Sequence, residues 1–185
     1  MTEEKQTFQK QDNISVLISA HEIEQRITQL GKQITADYSG KDTTVIGILN
    51  GCFVFFADLV REIDLPVVCD FLGLSSYGSS TKSSGVVAIT KDLSKPIAGR
   101  HVLIVEDIID TGLTMSYLLE NLQTRKPASI RICSLLSKPA RRTIETTIDY
   151  LGFTIEDKFV VGYGLDYDGV YRNLQYIGVV QNTNT

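Results

Sequence analysis

Nowhere in the chain does an apolar run approach the roughly 18 residues that a membrane-crossing helix needs. The opening stretch, MTEEKQTFQKQDN, is polar and acidic where a secretory signal would set a basic segment before an apolar core. Both absences predict a soluble, cytoplasmic protein with no membrane partner. Cysteine is scarce as well. Cys52, Cys69 and Cys133 are odd in number, far apart and without a C-x-x-C pair, which argues against a disulfide framework or a zinc site and predicts reduced, mostly buried thiols. Excess positive charge is also missing: 18 Lys+Arg face 22 Asp+Glu, for a net charge of −4 and a pI near 5.2. Neutralising nucleic-acid phosphates takes clustered cations, and the only basic cluster of note is Lys138, Arg141 and Arg142, so no nucleic-acid partner is expected. No internal repeat or interdomain linker interrupts the chain. Its 185 residues, 43% hydrophobic and 22% charged, suit a single globular domain over residues 1–185 with a sizeable core.

What is present is an alternation of helical and strand periodicity. Ile23, Ile27, Leu30 and Ile34 share one helical face, and Ser19 with Glu22 forms an S-x-x-E capping box at its start. TVIGIL (44–49) reads as a buried strand, followed after Asn50-Gly51 by a helix through Ala57, Leu59 and Val60. Pro66 opens the strand VVCDFLGL, and GVVAIT (85–90) and HVLIV (101–105) are further strands. Met115, Leu118, Leu119 and Leu122 predict a helix, SIRICSLL (129–136) a strand, and RRTIETTIDYLG (141–152) another helix. KFVVGY (158–163) and YIGVV (176–180) are expected to close the sheet. Apolar strands alternating with amphipathic helices predict an α/β fold, a mostly parallel twisted sheet flanked by helices. SSYGSSTKSSG (75–85) is too rich in Ser and Gly to pack a core and predicts a mobile surface loop, either a hairpin connection or a lid.

The stretch VLIVEDIIDTGLTM (102–115) stands out from this pattern. It sets an apolar strand against Glu106 and Asp107, then adds Asp110 before a Thr/Gly turn. The carboxyl end of a central parallel strand is where open α/β sheets gather ligands. Neighbouring carboxylates repel and resist burial, so they need a cation or solvent to stay ionised together, and a divalent metal or the hydroxyls of a sugar would satisfy both. Gly112 can adopt a positive φ, which lets the amides of residues 110–114 converge as an anion nest at a helix starting near Thr114. Thr111 and Thr114 add hydroxyl donors. An acidic half suited to a diol or metal and an amide half suited to a phosphate lie about one sugar's width apart, as a ribose 5-phosphate requires. The alternative is that Glu106 and Asp107 merely cap the next helix. Three acids within five residues at a strand end speak against it.

VEDIIDTGLT resembles the phosphoribosyl-pyrophosphate (PRPP) motif of type I phosphoribosyltransferases. LNGCFVF, the 75–85 loop, SLLSKPARR and DKFVVGYGLDYDGVYRNL are similar, in that order over residues 44–180, to segments of the hypoxanthine-guanine branch. The resemblance implies the type I phosphoribosyltransferase fold with a small hood and a flexible loop. It also implies an Mg²⁺-dependent purine-salvage transferase that joins hypoxanthine and/or guanine to PRPP, giving IMP or GMP and pyrophosphate, and that assembles as a homodimer or homotetramer. Glu106 and Asp107 would approach the ribose hydroxyls, partly through Mg²⁺. Asp110, Thr111, Gly112, Leu113 and Thr114 would hold the 5′-phosphate, with Asp110 also acting as acid/base near the purine N7. Lys138 would donate to the 6-oxo group, the backbone of Val160 would read the base edge, and Phe159 would stack on the purine. Asp166 would bind a second Mg²⁺ near the base and pyrophosphate, and Arg172 would contact pyrophosphate. Leu49, Asn50 and Gly51 would receive pyrophosphate, in the family through a non-proline cis peptide. The family often has a basic residue at the position of Asn50, so here the backbone is expected to carry that contact. Ser76 and Tyr77 would close over the reacting centre.

Each residue also has a plainer reading. Lys138 could be a solvated strand-end lysine, Phe159 and Tyr163 core aromatics, and Asp166 and Asp168 beside Gly169 turn residues. His21 and His101 have no ligand partner at useful spacing. A PRPP-sensing regulator that binds nucleic acid would share the 102–115 motif but should display a basic face. A transferase for adenine or a pyrimidine is separated by Lys138, a donor that matches a 6-oxo group and mismatches a 6-amino group.

Overall fold

The computed structural model describes residues 13–76 and 87–181. In chain order they form β1 (Asn13–Ile18), α1 (Ala20–Tyr38), β2 (Thr43–Leu49), α2 (Phe53–Glu62), β3 (Val68–Ser76), β4 (Val87–Lys91), β5 (His101–Ile109), α3 (Leu113–Gln123), β6 (Ser129–Ser137), a 3₁₀ turn (Pro139–Arg141), β7 (Tyr150–Thr154), β8 (Val160–Val161) and β9 (Ile177–Gln181). The main sheet has the order β4-β3-β2-β5-β6-β7, parallel throughout except for the edge strand β4. Side chains alternate along a strand, so β5 feeds both layers. Leu103 and Val105 join the core under α1 and α2, while Val102 and Ile104 join the core under α3. Burying each such side chain stabilises by roughly 1.5–3 kcal/mol. With apolar residues on both faces, β5 is held near the middle of the sheet, and its carboxyl end opens between the two helical layers.

The capping box forms as the sequence predicts. The Ser19 hydroxyl accepts from the Glu22 amide at 3.3 Å, and the Glu22 carboxylate accepts from the Ser19 amide at 2.9 Å. Ile23, Ile27, Leu30 and Ile34 are all buried along α1.

Three expectations need correction. Residues 141–152 form no helix: after the 3₁₀ turn the chain runs irregularly into β7. Thr143, Ile144, Thr146, Thr147 and Ile148 are β-branched and poor helix formers. The segment also gives its polar groups to the turn after β5. Residues 158–163 and 176–180 do not close the main sheet. β8 and β9 join β1, a strand the periodicity did not reveal, in a separate antiparallel sheet of order β1-β9-β8. The chain bends out of β8 at Gly162 and Gly164, with φ of 97° and 101°. β5 outruns HVLIV by four residues, to Ile109. The cysteines are free and mostly buried as expected, Cys52 and Cys133 inside and Cys69 exposed. Of the expected lid, Ser76 ends β3 with its backbone paired to Val87, and Tyr77 with the rest of the loop lies outside the described residues. Among the described residues no helix is long and apolar enough to cross a membrane.

Candidate active site

The extension of β5 carries Glu106 and Asp107 into the sheet, with Glu106 in register with Ser134 of β6. Asp107 is buried, and Glu106 Oε2 is sealed from solvent without a hydrogen-bond partner. Burial first, and the neighbouring Asp107 second, push Glu106 well above the usual carboxylate range. Burial also raises Asp107, against the hydrogen bond it shares with Glu106. Two adjoining acids whose charged forms burial disfavours are ready for a partner that lets both ionise.

On one side of the pair lies the loop after β2. The Leu49–Asn50 peptide is cis, and Asn50 is exposed. Gly51 sits under the Asp107 carboxylate, where an added Cβ would lie 1.7 Å from Oδ2. No larger residue fits unless Asp107 moves. The Gly51 carbonyl packs on the backbone of Gly164. Arg172 donates to the Gly164 carbonyl at 2.6 Å and pairs with Asp166 at 2.7 Å. Asp166 also accepts from the Gly169 amide at 2.8 Å, within a turn where Asp168 and Gly169 both have positive φ. Asp107, Gly51, Gly164, Arg172 and Asp166 are thus one contiguous chain of contacts.

On the other side stand Asp110, Lys138, Arg141 and Asp157. Lys138 is 6% exposed and its nearest carboxylate, Asp157, is 3.9 Å away. The solvated-lysine reading is excluded, since a buried ammonium without a close partner is costly. Arg141 bridges Asp157 at 3.8 Å and Asp110 at 3.3 Å, yet Asp110 Oδ1 is sealed from solvent and receives no hydrogen bond. Phe159 is 54% exposed and meets Tyr167 edge-on at 5.3 Å, which is no place for a core aromatic. Val160, next to it, is held by pairing with Val179. Tyr163 does belong to the core, with its hydroxyl donating to Asp58.

Between these sides the turn after β5 opens α3. Gly112, at φ 85°, is the residue before the helix, and a Cβ there would stand 2.3 Å from the Ile144 carbonyl. The Thr111 hydroxyl accepts from the Leu113 amide at 3.4 Å. A small cavity of about 100 Å³ is bounded by Glu106, Asp110, Thr111, Gly112 and Thr114, among others. A turn of this form at a helix N-terminus suits an anion. A larger cavity of about 650 Å³, between α1, α2 and residues 172–175, meets only Arg172 of the predicted site residues. His21 is exposed beside Gln25, and His101 pairs with Ser129 at the far end of the sheet. Among the described residues no three His, Cys, Asp or Glu side chains converge as a metal cage.

Sequence reasoning noted Arg141 and Arg142 only as a basic cluster and gave Asp157 no role. Their charges were visible. That Arg141 faces Asp110 was not, because it depends on residues 141–149 abandoning the helix.

The family model for the phosphoribosyl transferase domain matches residues 15–168. The hypoxanthine-guanine phosphoribosyltransferase of Mycobacterium avium is 52% identical over 90% of this chain and 85% of its own length. The hypoxanthine phosphoribosyltransferase of Haemophilus influenzae is 50% identical over 92% of this chain and 97% of its own length. The crystal structure of a hypoxanthine phosphoribosyltransferase from Staphylococcus aureus superimposes with a TM-score of 0.87 at 46% identity, covering 90% of this chain and 91% of that one. The chain belongs to the phosphoribosyltransferase family, in its hypoxanthine-guanine branch.

Proposed function

We propose that this chain transfers the phosphoribosyl group of PRPP to hypoxanthine or guanine, releasing pyrophosphate, with the reacting atoms at the carboxyl edge of β5. One observation carries the reading: the sealed Glu106 Oε2, which has no partner, and the sealed Asp110 Oδ1, met only by Arg141 at 3.3 Å, flank a left-handed Gly112 turn that opens a helix. Sealed carboxylate oxygens in that state call for a ligand.

In this reading residues 110–114 hold the 5′-phosphate, and Glu106 and Asp107 face the ribose hydroxyls. Leu49, Asn50, Gly51 and Arg172 receive pyrophosphate. Lys138 donates to the 6-oxo oxygen, the exposed ring of Phe159 stacks on the base, and Val160 and Asp166 border its edge. The purine N9 attacks C1 of the ribose as the bond from C1 to the pyrophosphate oxygen breaks, and positive charge develops on the sugar. Asp110 takes the proton lost from the N7 side as the base changes tautomer. Lys138, already desolvated, favours the 6-oxo form without further reorganisation.

The donor set fits Mg²⁺. That ion is usually held by one or two carboxylates together with water and substrate phosphates, so no protein cage is needed. Glu106 and Asp107 would hold one ion and Asp166 another. When bound, Mg²⁺ neutralises pyrophosphate oxygens and fixes their geometry. Three free thiols fit a reducing compartment such as the cytoplasm. A homodimer or homotetramer is supported by the half-exposed Phe53 beside the larger cavity, an apolar surface of the kind that subunits cover.

The test is an ultraviolet assay with PRPP and Mg²⁺, offering hypoxanthine, guanine, xanthine, adenine and uracil separately. Turnover of hypoxanthine or guanine that stops on chelation is the expected result. PRPP binding without turnover of any base would move the protein to a regulatory role.

A further inference from the structure

Arg142 lies outside every role assigned so far, and its guanidinium is committed to the back of the phosphate turn. Nε donates to the Asp110 carbonyl at 3.2 Å. Nη2 donates to the Ile109 carbonyl at 3.4 Å and the Ser137 hydroxyl at 2.8 Å, and Nη1 to the Thr146 carbonyl at 3.2 Å. The next two residues continue the pattern. The amides of Thr143 and Ile144 both donate to the Thr111 carbonyl at 3.0 Å, and the Thr143 hydroxyl does so at 3.1 Å. Three consecutive carbonyls, of Ile109, Asp110 and Thr111, are therefore drawn toward the 138–146 segment, that of Ile109 also accepting from the Lys138 amide at 3.1 Å.

A trans peptide is planar, with its C=O and the following N–H pointing in opposite directions. Drawing those three carbonyls to one side turns the amides of Asp110, Thr111 and Gly112 to the other. The same segment presses close behind Gly112, where only a residue without Cβ fits at φ 85°.

We propose that Arg142 is a positioning residue that sets the amides of the 110–112 turn toward the 5′-phosphate, so that it governs recognition of that phosphate and not of pyrophosphate. This rests on the function proposed above. A charged donor holding carbonyls at fixed angles keeps the nest formed before any ligand arrives. Its charge adds to the field at the N-terminus of α3.

The test compares two product-inhibition constants in wild type, Arg142→Met and Arg142→Lys. IMP carries the 5′-phosphate, whereas pyrophosphate binds at the other end of the site. Arg142→Met should weaken IMP by about tenfold or more while leaving pyrophosphate within about twofold, with KM for PRPP rising more than kcat falls. Arg142→Lys should recover part of the loss, since it restores charge but not the fork of donors. An equal loss for IMP and pyrophosphate would make Arg142 a general structural brace and overturn the proposal, as would no loss at all. If Arg142→Met does not fold, the IMP-to-pyrophosphate ratio of Arg142→Lys decides in the same way. Wild-type protein that neither turns over nor binds IMP would instead overturn the parent reading.

Discussion

The two ends of the main sheet treat their charged groups in opposite ways: those at the amino end are paired and part-exposed, while an acid at the carboxyl end is sealed without a partner. At the amino end, Arg131 donates to Asp37 at 3.0 Å and to the Tyr150 hydroxyl at 2.7 Å, while that hydroxyl donates to Asp37 at 2.6 Å. The Arg131 guanidinium also lies over the rings of Tyr38 and Tyr150, at 5.8 and 6.0 Å. Arg100 is bonded to Asp42 at 2.7 Å, Thr44 at 2.6 Å and the Thr43 carbonyl at 3.1 Å. Each charge there has its partner. At the carboxyl end Glu106 and Asp110 each keep a sealed oxygen without a hydrogen bond. An unpartnered buried acceptor costs about 1–3 kcal/mol, so the chain retains at one end a cost it avoids at the other. Glu106 Oε2, with no partner, and Asp110 Oδ1, met only by Arg141 at 3.3 Å, mark where a substrate supplies the missing hydrogen bonds.

If that contrast separates function from stability, substitutions at the carboxyl end should change catalysis more than folding. The largest effect belongs to Asp110→Asn, which keeps the shape and removes the base. Turnover should fall about 10²–10⁴-fold while IMP binding changes little, as steady-state kinetics and calorimetry would show. Equal loss in both would reduce Asp110 to a binding group. A smaller effect is due at Lys138→Gln, where kcat/KM for hypoxanthine should drop about 10- to 100-fold with KM for PRPP unchanged. A matching rise in KM for PRPP would show that the Lys138 side chain supports the turn after β5 and not the base.

Helix α1 was legible in full, because a capping box and a 3.6-residue period act locally. The central strands were legible because burial on both faces leaves an uninterrupted apolar run. The site motif was legible because strand, acids, glycine and threonines lie within fourteen consecutive residues, 102–115. Residues 141–149 were misread, since their conformation is set by bonds to residues 109–111, more than thirty positions back, and not by their own spacing. The small sheet was misplaced for a similar reason. β8 has only two residues, and its partner β9 is followed in the same sheet by β1 from the other end of the chain. Side chains that meet across elements, such as Arg141 with Asp110 or Gly51 under Asp107, leave no periodic signal.

The most direct test compares melting temperatures of wild type and Glu106→Gln, with and without Mg²⁺ and PRPP. Burial raises Glu106 and Asp107, so the folded chain holds protons that the unfolded chain would release. Without substrate, stability therefore falls as pH rises from the ordinary carboxylate values of 3.8 and 4.5 through the elevated range of the pair. Glu106→Gln removes that penalty and should melt higher at neutral pH, being more stable by about 0.5–2 kcal/mol, an advantage that shrinks on acidification. Tyr150→Phe, at the fully partnered end, should melt lower under every condition. Adding Mg²⁺ and PRPP should stabilise wild type more than Glu106→Gln and reverse their order. A Glu106→Gln protein that melts below wild type in the absence of substrate would show that the acidic pair stabilises the fold, and would contradict the claim that it is held in readiness for a ligand.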